Sequence, residues 1–461
     1  MSSDWNRRAR SDALYYVALG QRDQPLQAFL DGAADVIGGL ERDLARLPSP
    51  VTGEPRRALE IGCGPGRLMF PMSRHFSEIH GVDVSSEMVR LARRNLAGIS
   101  HAHVHTVDGT SLTQFANLSF DFVYSFAVFQ HIPSREVVFQ YLRETRRVLR
   151  PGGVARMQFN GLAEGVRKHD TWQGVRFTAG EIARFALDHD LLLLALEGAG
   201  SQYMWATFAR PAEASPAPSP SGAVSIRRVT DAGGSVPVVP ARGRHAAFAL
   251  WVEGLRPGAD LNRLRVEIAG RPARLTFIGV PQKDGLRQVT GYLPPDLGTG
   301  FQPVHLFPEN AAAPIESYVR LIPPGPEPPQ VISVSDSVFV GAGRNIHSNM
   351  VRIYLEGAHR PEDLRASVGG RDLRPAGVTC TVPDFPRFEI DFKVPAGCAP
   401  GPCELECRLG SRYLGAFEIV IAPDPLWWRR RLHPAELYQA ARRFLWAREE
   451  KRRRSSGYTC S

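Results

Sequence analysis

Lysine is almost missing from this chain: Lys168, Lys283, Lys393 and Lys451 are the only ones among 56 basic side chains. So strong an arginine bias points to GC-rich coding and a bacterial source rather than to a functional surface. No run of about 18 apolar residues occurs, and the first ten residues are polar with no apolar leader segment. A spanning helix and a secretory signal are therefore not expected, and the reading is a cytoplasmic protein. The six cysteines are too few for a disulfide framework, and Cys398, Cys403 and Cys407 match no common zinc spacing. A one-signed surface is also lacking outside the C-terminus. Residues 429–454 hold ten Arg and Lys against three Glu, so that segment carries +7 of the formal +9 and the rest is close to neutral.

What is present is organised around Ala58-Leu59-Glu60-Ile61-Gly62-Cys63-Gly64-Pro65-Gly66-Arg67, an apolar run that breaks into three glycines spaced two apart. This reads as a strand ending in a tight loop, where the backbone approaches a ligand and the next helix offers free N–H groups. From residue 57 the chain alternates strand and helix. Strands are expected at 58–62, 79–83, 103–107, 120–126, 154–159, 191–197 and 203–209, with helices at about 66–76, 86–97, 135–149 and 179–189, a short one near 112–116, and a turn at Pro151-Gly152-Gly153. Alternation of this kind gives a largely parallel sheet that binds ligands at the carboxyl ends of its strands. Residues 1–50 look helical. Trp5, Tyr15 and Tyr16 form an aromatic cluster there, read either as packing or as a cover over the site.

At 461 residues the chain exceeds one core, and roughly two to four domains are expected. Residues 211–222, rich in Pro, Ser and Ala, form a linker. Beyond it, short alternating runs punctuated by Gly and Pro signal all-β modules, and there is an internal repeat. Leu250-Trp251-Val252-Glu253-Gly254 matches Ile353-Tyr354-Leu355-Glu356-Gly357, Asp260-Leu261 matches Asp363-Leu364, and Gly270-Arg271 matches Gly370-Arg371. Leu293-Pro294-Pro295 is paired with Lys393-Val394-Pro395, and 318–322 with 417–421. The expected organisation is a first domain at 1–210, β-sandwich repeats at 223–325 and 330–424, and a basic amphipathic helix or tail at 425–461. The repeats resemble immunoglobulin-like modules of the IPT/TIG kind, which space or present other domains. The tail is read as docking on the last module or as meeting an anionic membrane surface or protein partner.

The glycine loop gains meaning from acids at fixed distances. Asp83, followed by Val84, ends the second strand seventeen residues beyond Gly66, placed to accept from a ribose diol. Asp108-Gly109 ends the third strand, suited to an adenine amino group. The glycines are spaced Gly-x-Gly-x-Gly rather than Gly-x-Gly-x-x-Gly, and Glu60 would repel a pyrophosphate but suits a ligand bearing an amino group.

With EIGCGPGR at 60–67, GVDVSSEMV at 81–89, VDG at 107–109, FDFVYSFAVFQHI at 120–132 and LRPGG at 149–153, residues 1 to about 210 resemble a class I S-adenosylmethionine-dependent methyltransferase of the small-molecule type. That resemblance implies a Rossmann-like seven-stranded α/β domain of strand order 3-2-1-4-5-7-6 with the last strand antiparallel, and S-adenosylmethionine as cofactor. It places Gly62, Cys63, Gly64 and Gly66 at the methionine part and has Glu60 orient the ammonium through water. Asp83 with Val84 takes the ribose, Asp108 and Gly109 the adenine, and Ser125 and Phe126 pass the sulfonium.

His131, just past strand four, is the candidate catalytic base, with a structural or substrate-bonding role as the alternative. Tyr15, Tyr16, Gln130, His131, Asp170, Trp172 and Arg176 are candidate substrate contacts. The acceptor is expected to be an O or N atom of a small metabolite or of a glycan or lipid precursor. Ser125-Phe126-Ala127-Val128 after strand four is neither an Asn/Asp-Pro-Pro-aromatic loop nor a Pro-Cys nucleophile, which disfavours nucleic acid. His101, His103 and His105 alternate along strand three without an evident carboxylate nearby and are read as edge-strand histidines, not as a metal site. A non-catalytic scaffold built on the same fold is the competing reading.

Overall fold

The computed structural model describes residues 1–18, 26–31, 33–49, 54–162, 170–172, 174–212, 223–233, 236–243, 245–309, 311, 313–324, 329–337, 344–358, 360–382, 387–395 and 397–422. The linker beyond residue 212 and the basic segment at 425–461 thus lie outside the described residues. The chain divides into two compact units, the first holding Met1–Val17 and Asp23–Gly325 and the second the strands beyond.

In the first unit, helices α1 (Ser2–Ala18), α2 (Leu26–Asp31) and α3 (Ala34–Leu44) precede the sheet, and α1 is interrupted at Asp12, where φ −170° and ψ 90° are extended rather than helical. Strands β1 (Arg57–Ile61), β2 (Glu78–Asp83), β3 (Ala102–Thr106), β4 (Phe120–Ser125), β5 (Leu149–Phe159), β6 (Leu192–Glu197) and β7 (Met204–Ala209) line up as β3-β2-β1-β4-β5-β7-β6. The first five run parallel, and β7 is antiparallel to both β5 and β6. Helices α5 (Ser86–Asn95), α6 (Arg135–Val148) and α7 (Ala179–Asp188) start where Ser85, Ser134 and Thr178 accept a first-turn N–H, Thr178 and Glu181 closing a reciprocal capping box.

Three expectations change in detail. The helix read at 66–76 is only α4 (Met69–Met72) followed by a 3₁₀ turn at Ser73–His75. Gly66 N–H is taken by Cys63 O in a turn, and Pro71 has no N–H to continue the helix ladder. No helix forms near 112–116, because α6 takes up the local backbone: Glu144 accepts from Leu112 N–H and Arg147 donates to the carbonyls of Leu112 and Phe115. Pro151-Gly152-Gly153 lies within β5, as a shift in its register with β4 between Phe120 and Phe122.

The outer edge of β6 is not left open. Phe277 of β13 (Arg274–Ile278) pairs with Ala195, and β14 (Arg287–Tyr292), β10 (Ala247–Glu253) and β8 (Ser225–Asp231) continue the sheet to eleven strands. Leu261 N–H donates to Leu193 O, Asn262 to Ala183 O, and Arg46 to Ile278 O at 2.7 Å, so the first β-module and the helical layer share polar contacts on both sides of that seam. A second sheet, in order β12 (Arg271–Pro272), β11 (Arg265–Ile268), β15 (Gly300–Phe307), β16 (Ile315–Ile322), β9 (Val238–Pro240), closes a core around Phe248, Leu250, Val266, Ile278 and Val319.

The second unit repeats this strand for strand. Its sheets run β17 (Gln330–Asp336), β19 (Met350–Glu356), β23 (Arg387–Lys393), β22 (Arg374–Val382), and β18 (Asn345–Ile346), β25 (Arg412–Ile421), β24 (Gly401–Leu409), β20 (Leu364–Val368), β21 (Arg371–Asp372). The structure shifts two of the sequence pairings by one residue. Gly300 faces Leu321 where Gly401 faces Ile421, so Leu321 rather than Ile322 corresponds to Ile421. Likewise Leu293 N–H donates to Ala246 O where Val394 N–H donates to Asn349 O, which matches Leu293 with Val394.

Candidate active site

The carboxyl ends of β1, β2 and β4 open into a pocket with a cavity volume of about 100 Å³. Its wall is built by Glu60, Ile61, Gly62, Cys63 and Gly64 at the end of β1, Val82, Asp83 and Val84 at the end of β2, and Phe126, Ala127, Val128 and His131 after β4. Met1, Trp5, Tyr16 and Val17 of the N-terminal helix complete it from the other side. The loop needs its glycines for space as well as for backbone angle. Gly62 has φ +73°, and a Cβ on it would stand 2.3 Å from Val128 Cγ2.

Two carboxylates define the chemistry. Glu60 is 3% exposed and accepts from the Tyr124 hydroxyl at 3.1 Å, and burial holds its pKa well above the usual carboxylate range. Asp83 accepts from Gly64 N–H at 2.9 Å and from Ser85 N–H at 2.8 Å. Burial raises it to about 6, against those two bonds, which lower it. Neither acid forms an ion pair among the described residues. The Arg67 guanidinium, also in the lining, acts on Glu60 only through its charge, and acids set this deep are costly unless a ligand supplies further counter-charge and donors.

The remaining expected residues divide by where the structure sets them. Cys63 lines the pocket with its thiol pushed up by burial, whereas Gly66 lies behind the wall. Ser125 is buried with its hydroxyl on Ile61 O at 2.9 Å, and Phe126, stacked on Trp205, reaches the wall. Gly109 stands beside Val84 and Met1. Asp108 is not in the wall; its carboxylate is exposed and accepts from Thr110 N–H and from Ser111 N–H and Oγ in an Asx-type turn.

Of the substrate candidates, Tyr16 and His131 line the pocket, and Trp172 packs on both rings at 6.3 and 6.0 Å. Gln130 sits behind His131. Tyr15, Asp170 and Arg176 are not in the wall; Asp170 caps Trp172 N–H. His131 Nδ1 is 3.1 Å from Trp172 O, and burial lowers its pKa to about 4.

Sequence reasoning missed Gln158. This fully buried side chain accepts from Ala127 N–H at 2.9 Å and donates to Phe159 O at 2.7 Å and Gln202 O at 2.8 Å, so it holds Ala127, a non-glycine at φ +56°, in the left-handed region. A lone amide inside the apolar run of β5 was the available signal. The strand-three histidines lie on the edge strand of the sheet, but a carboxylate does stand beside them: Glu78 Oε1 is 2.9 Å from His80 Nε2 and 3.8 Å from His103 Nε2, and His80 Nδ1 is 3.1 Å from His105 Nε2. Among the described residues no cluster has the arrangement of a metal site.

Residues 58–153 match the family described as "Methyltransferase domain". This part of the chain is a methyltransferase domain. Its cofactor is S-adenosylmethionine. The ubiquinone biosynthesis O-methyltransferase of Roseobacter denitrificans is 32% identical over 121 residues, covering 26% of this chain and 46% of that protein. The trans-aconitate 2-methyltransferase of Rhodopseudomonas palustris is 32% identical over 118 residues, covering 25% and 41%. The chain thus spans less than half the length of these curated relatives. Among solved structures, the magnesium protoporphyrin IX methyltransferase of Synechocystis with bound SAH aligns at 14% identity and a TM-score of 0.34, covering 45% of this chain and 97% of that one.

The pocket of the methyltransferase domain fits its cofactor. Glu60 suits the ammonium, Asp83 the ribose diol, and the close-packed glycine loop admits backbone contact with the methionine part. The Asp83 shift has a testable sign. Ribose hydroxyls donate to the carboxylate, not to the acid, so affinity for S-adenosylmethionine falls as pH is lowered through about 6. Folding stability moves the other way: a raised acid contributes most below 3.8 and loses that contribution as pH rises to about 6. Calorimetric titrations between pH 5 and pH 8 should show the fall in affinity for the wild type and a shallower profile for Asp83→Asn, the remaining slope belonging to Glu60.

Proposed function

We propose that the chain transfers the methyl group of S-adenosylmethionine to an O or N atom of a small metabolite or of a glycan or lipid precursor. The observation that carries this reading is a pair of acids, buried Glu60 and part-buried Asp83, converging on a glycine loop at the ends of β1 and β2 with no ion pair to either among the described residues. When bound, the cofactor supplies an activated methyl on a sulfonium, so the protein's share is alignment of the acceptor and acceptance of its proton or hydrogen bond. The acceptor end is walled by Trp5, Tyr16, Phe126 and His131, a mostly apolar surface with one imidazole. Small-molecule acceptors are supported by the names of the relatives, which act in ubiquinone biosynthesis and on trans-aconitate.

The two β-modules, read as immunoglobulin-like and of the IPT/TIG kind, serve as positioning or interaction domains. The segment at 425–461 is assigned to an anionic membrane surface or a protein partner. No helix among the described residues is long and apolar enough to cross a membrane.

The test is incubation with methyl-labelled S-adenosylmethionine and a cell extract separated into metabolite, lipid and glycan, and nucleic-acid fractions. Label should enter the first or second. Label confined to nucleic acid would remove the acceptor assignment, and absence of cofactor binding would leave the scaffold reading in its place.

A further inference from the structure

Around the acceptor end of the pocket, one set of contacts joins the N-terminal helix to the imidazole. Arg8 of α1 donates through Nη1 to Thr171 O at 3.1 Å and through Nη2 to Thr171 Oγ1 at 3.3 Å. Its guanidinium also lies against two indole rings, 4.7 Å from the centre of Trp5 and 5.1 Å from that of Trp172. Thr171 Oγ1 in turn donates to Asp4 Oδ2 at 3.0 Å. Both indoles that flank Arg8 pack on His131, Trp5 edge-on at 5.3 Å and Trp172 at 6.0 Å. The carbonyl next in the chain, Trp172 O, is the one that faces His131 Nδ1 at 3.1 Å.

The tautomer follows from these partners. A carbonyl only accepts, so Nδ1 carries the proton and Nε2 the lone pair. On the other side of the ring the Gln130 amide nitrogen stands 3.4 Å from Nε2, beyond the usual hydrogen-bond range, so the Nε2 lone pair is open to a closer donor.

We propose that Arg8 is a positioning residue for His131. By clamping Thr171 and stacking between Trp5 and Trp172, it fixes the Trp172 carbonyl on Nδ1 and so keeps Nε2 available to accept a hydrogen bond from the O–H or N–H of the methyl acceptor. This rests on the methyltransferase reading of the pocket. It assigns Arg8 a share in the acceptor site through His131, since Arg8 itself is not in the pocket wall. The low basicity of a buried imidazole, with the Arg8 charge nearby, suits an orienting acceptor better than a strong base.

The experiment uses the full chain with ¹⁵N-labelled histidine at pH 7.5, reading ring tautomers from two-bond proton–nitrogen correlations and assigning His131 by its disappearance in His131→Asn. Wild type should show His131 protonated on Nδ1. Arg8→Ala should shift it toward the Nε2-protonated or an averaged pattern while affinity for S-adenosylmethionine changes less than about threefold. Arg8→Lys, which keeps charge without the planar fork, should recover the wild-type pattern only in part. If Arg8→Ala does not fold, Thr171→Val removes the hydroxyl shared by Arg8 and Asp4 and should move His131 in the same direction. A His131 that stays Nδ1-protonated in both variants overturns the proposal. Failure of wild type to bind S-adenosylmethionine would instead overturn the methyltransferase reading, whatever the tautomer result.

Discussion

Asp83→Ala is expected to weaken S-adenosylmethionine binding by roughly a hundredfold or more, since hydrogen bonds to a charged group are each worth about 1.5–3 kcal/mol and a ribose diol would make two. The carboxylate is also the acceptor for Gly64 N–H and Ser85 N–H, so its removal frees one backbone donor in the glycine loop and one at the start of α5. Loss of affinity therefore combines missing ligand contacts with a looser loop. Asp83→Asn separates them. It keeps an oxygen for one of the two backbone donors but not the charge, and should fall between wild type and alanine. Isothermal titration with circular dichroism on each variant decides the matter. A loss of less than about threefold in Asp83→Ala, with the fold intact, would mean that the acid is a loop anchor and not a ligand contact.

The glycine spacing and the acid at 83 were legible because they sit within a few residues of their strands' carboxyl ends, where topology alone brings them together. The sheet order was legible for the same reason: short alternating segments leave few ways to arrange a parallel sheet. Asp108 shows the limit of this kind of reading. Its position at the end of β3 matches an adenine contact, but Asp108-Gly109-Thr110-Ser111 is also a turn sequence, and the local N–H donors bind the carboxylate. That turn sets where the carboxylate stands, and the order of residues alone does not say so.

What stayed hidden was mostly contact between distant segments. Met1, Trp5 and Val17 reach the pocket from the chain's start, and helical spacing says which residues share a face but not which surface they cover. The joining of β13 to β6 is of the same kind. The proline-rich linker marks a change of texture and says nothing about whether the strands beyond it pair with the sheet before it. Gln158 and Arg156, two polar residues in the apolar run of β5, are the exception. Buried polar side chains in a central strand require partners, and each proves to be the hub of a network.

The Arg156 hub leads to the largest expected stability effect. Asp43 at the end of α3 is fully buried, and its two oxygens accept from Arg46 Nε at 2.8 Å, Arg156 Nη1 at 2.8 Å and Thr207 Oγ1 at 2.9 Å. Both arginine side chains are nearly closed off, at 5% and 7% exposure. One carboxylate therefore ties α3 to β5 and β7, and through Arg46, which also donates to Ile278 O and stacks near Phe277, to the first β-module. Asp43→Ala leaves two buried guanidinium groups short of their shared counter-charge, a loss of about 3–5 kcal/mol when one partner of a buried pair is removed. Arg156 keeps Glu197 at 3.2 Å, but that carboxylate is 31% exposed and already shared with Arg42, so it offsets only part of the loss. In denaturant titrations the first unit should unfold at a clearly lower midpoint, with Asp43→Asn intermediate. Asp43→Leu combined with Arg156→Leu and Arg46→Leu should lose less than Asp43→Ala alone, because no charge is then left buried without a partner. An Asp43→Ala variant within about 1 kcal/mol of wild type would show that water or Glu197 compensates fully, and that the seam between the sheet and the first β-module does not depend on this acid.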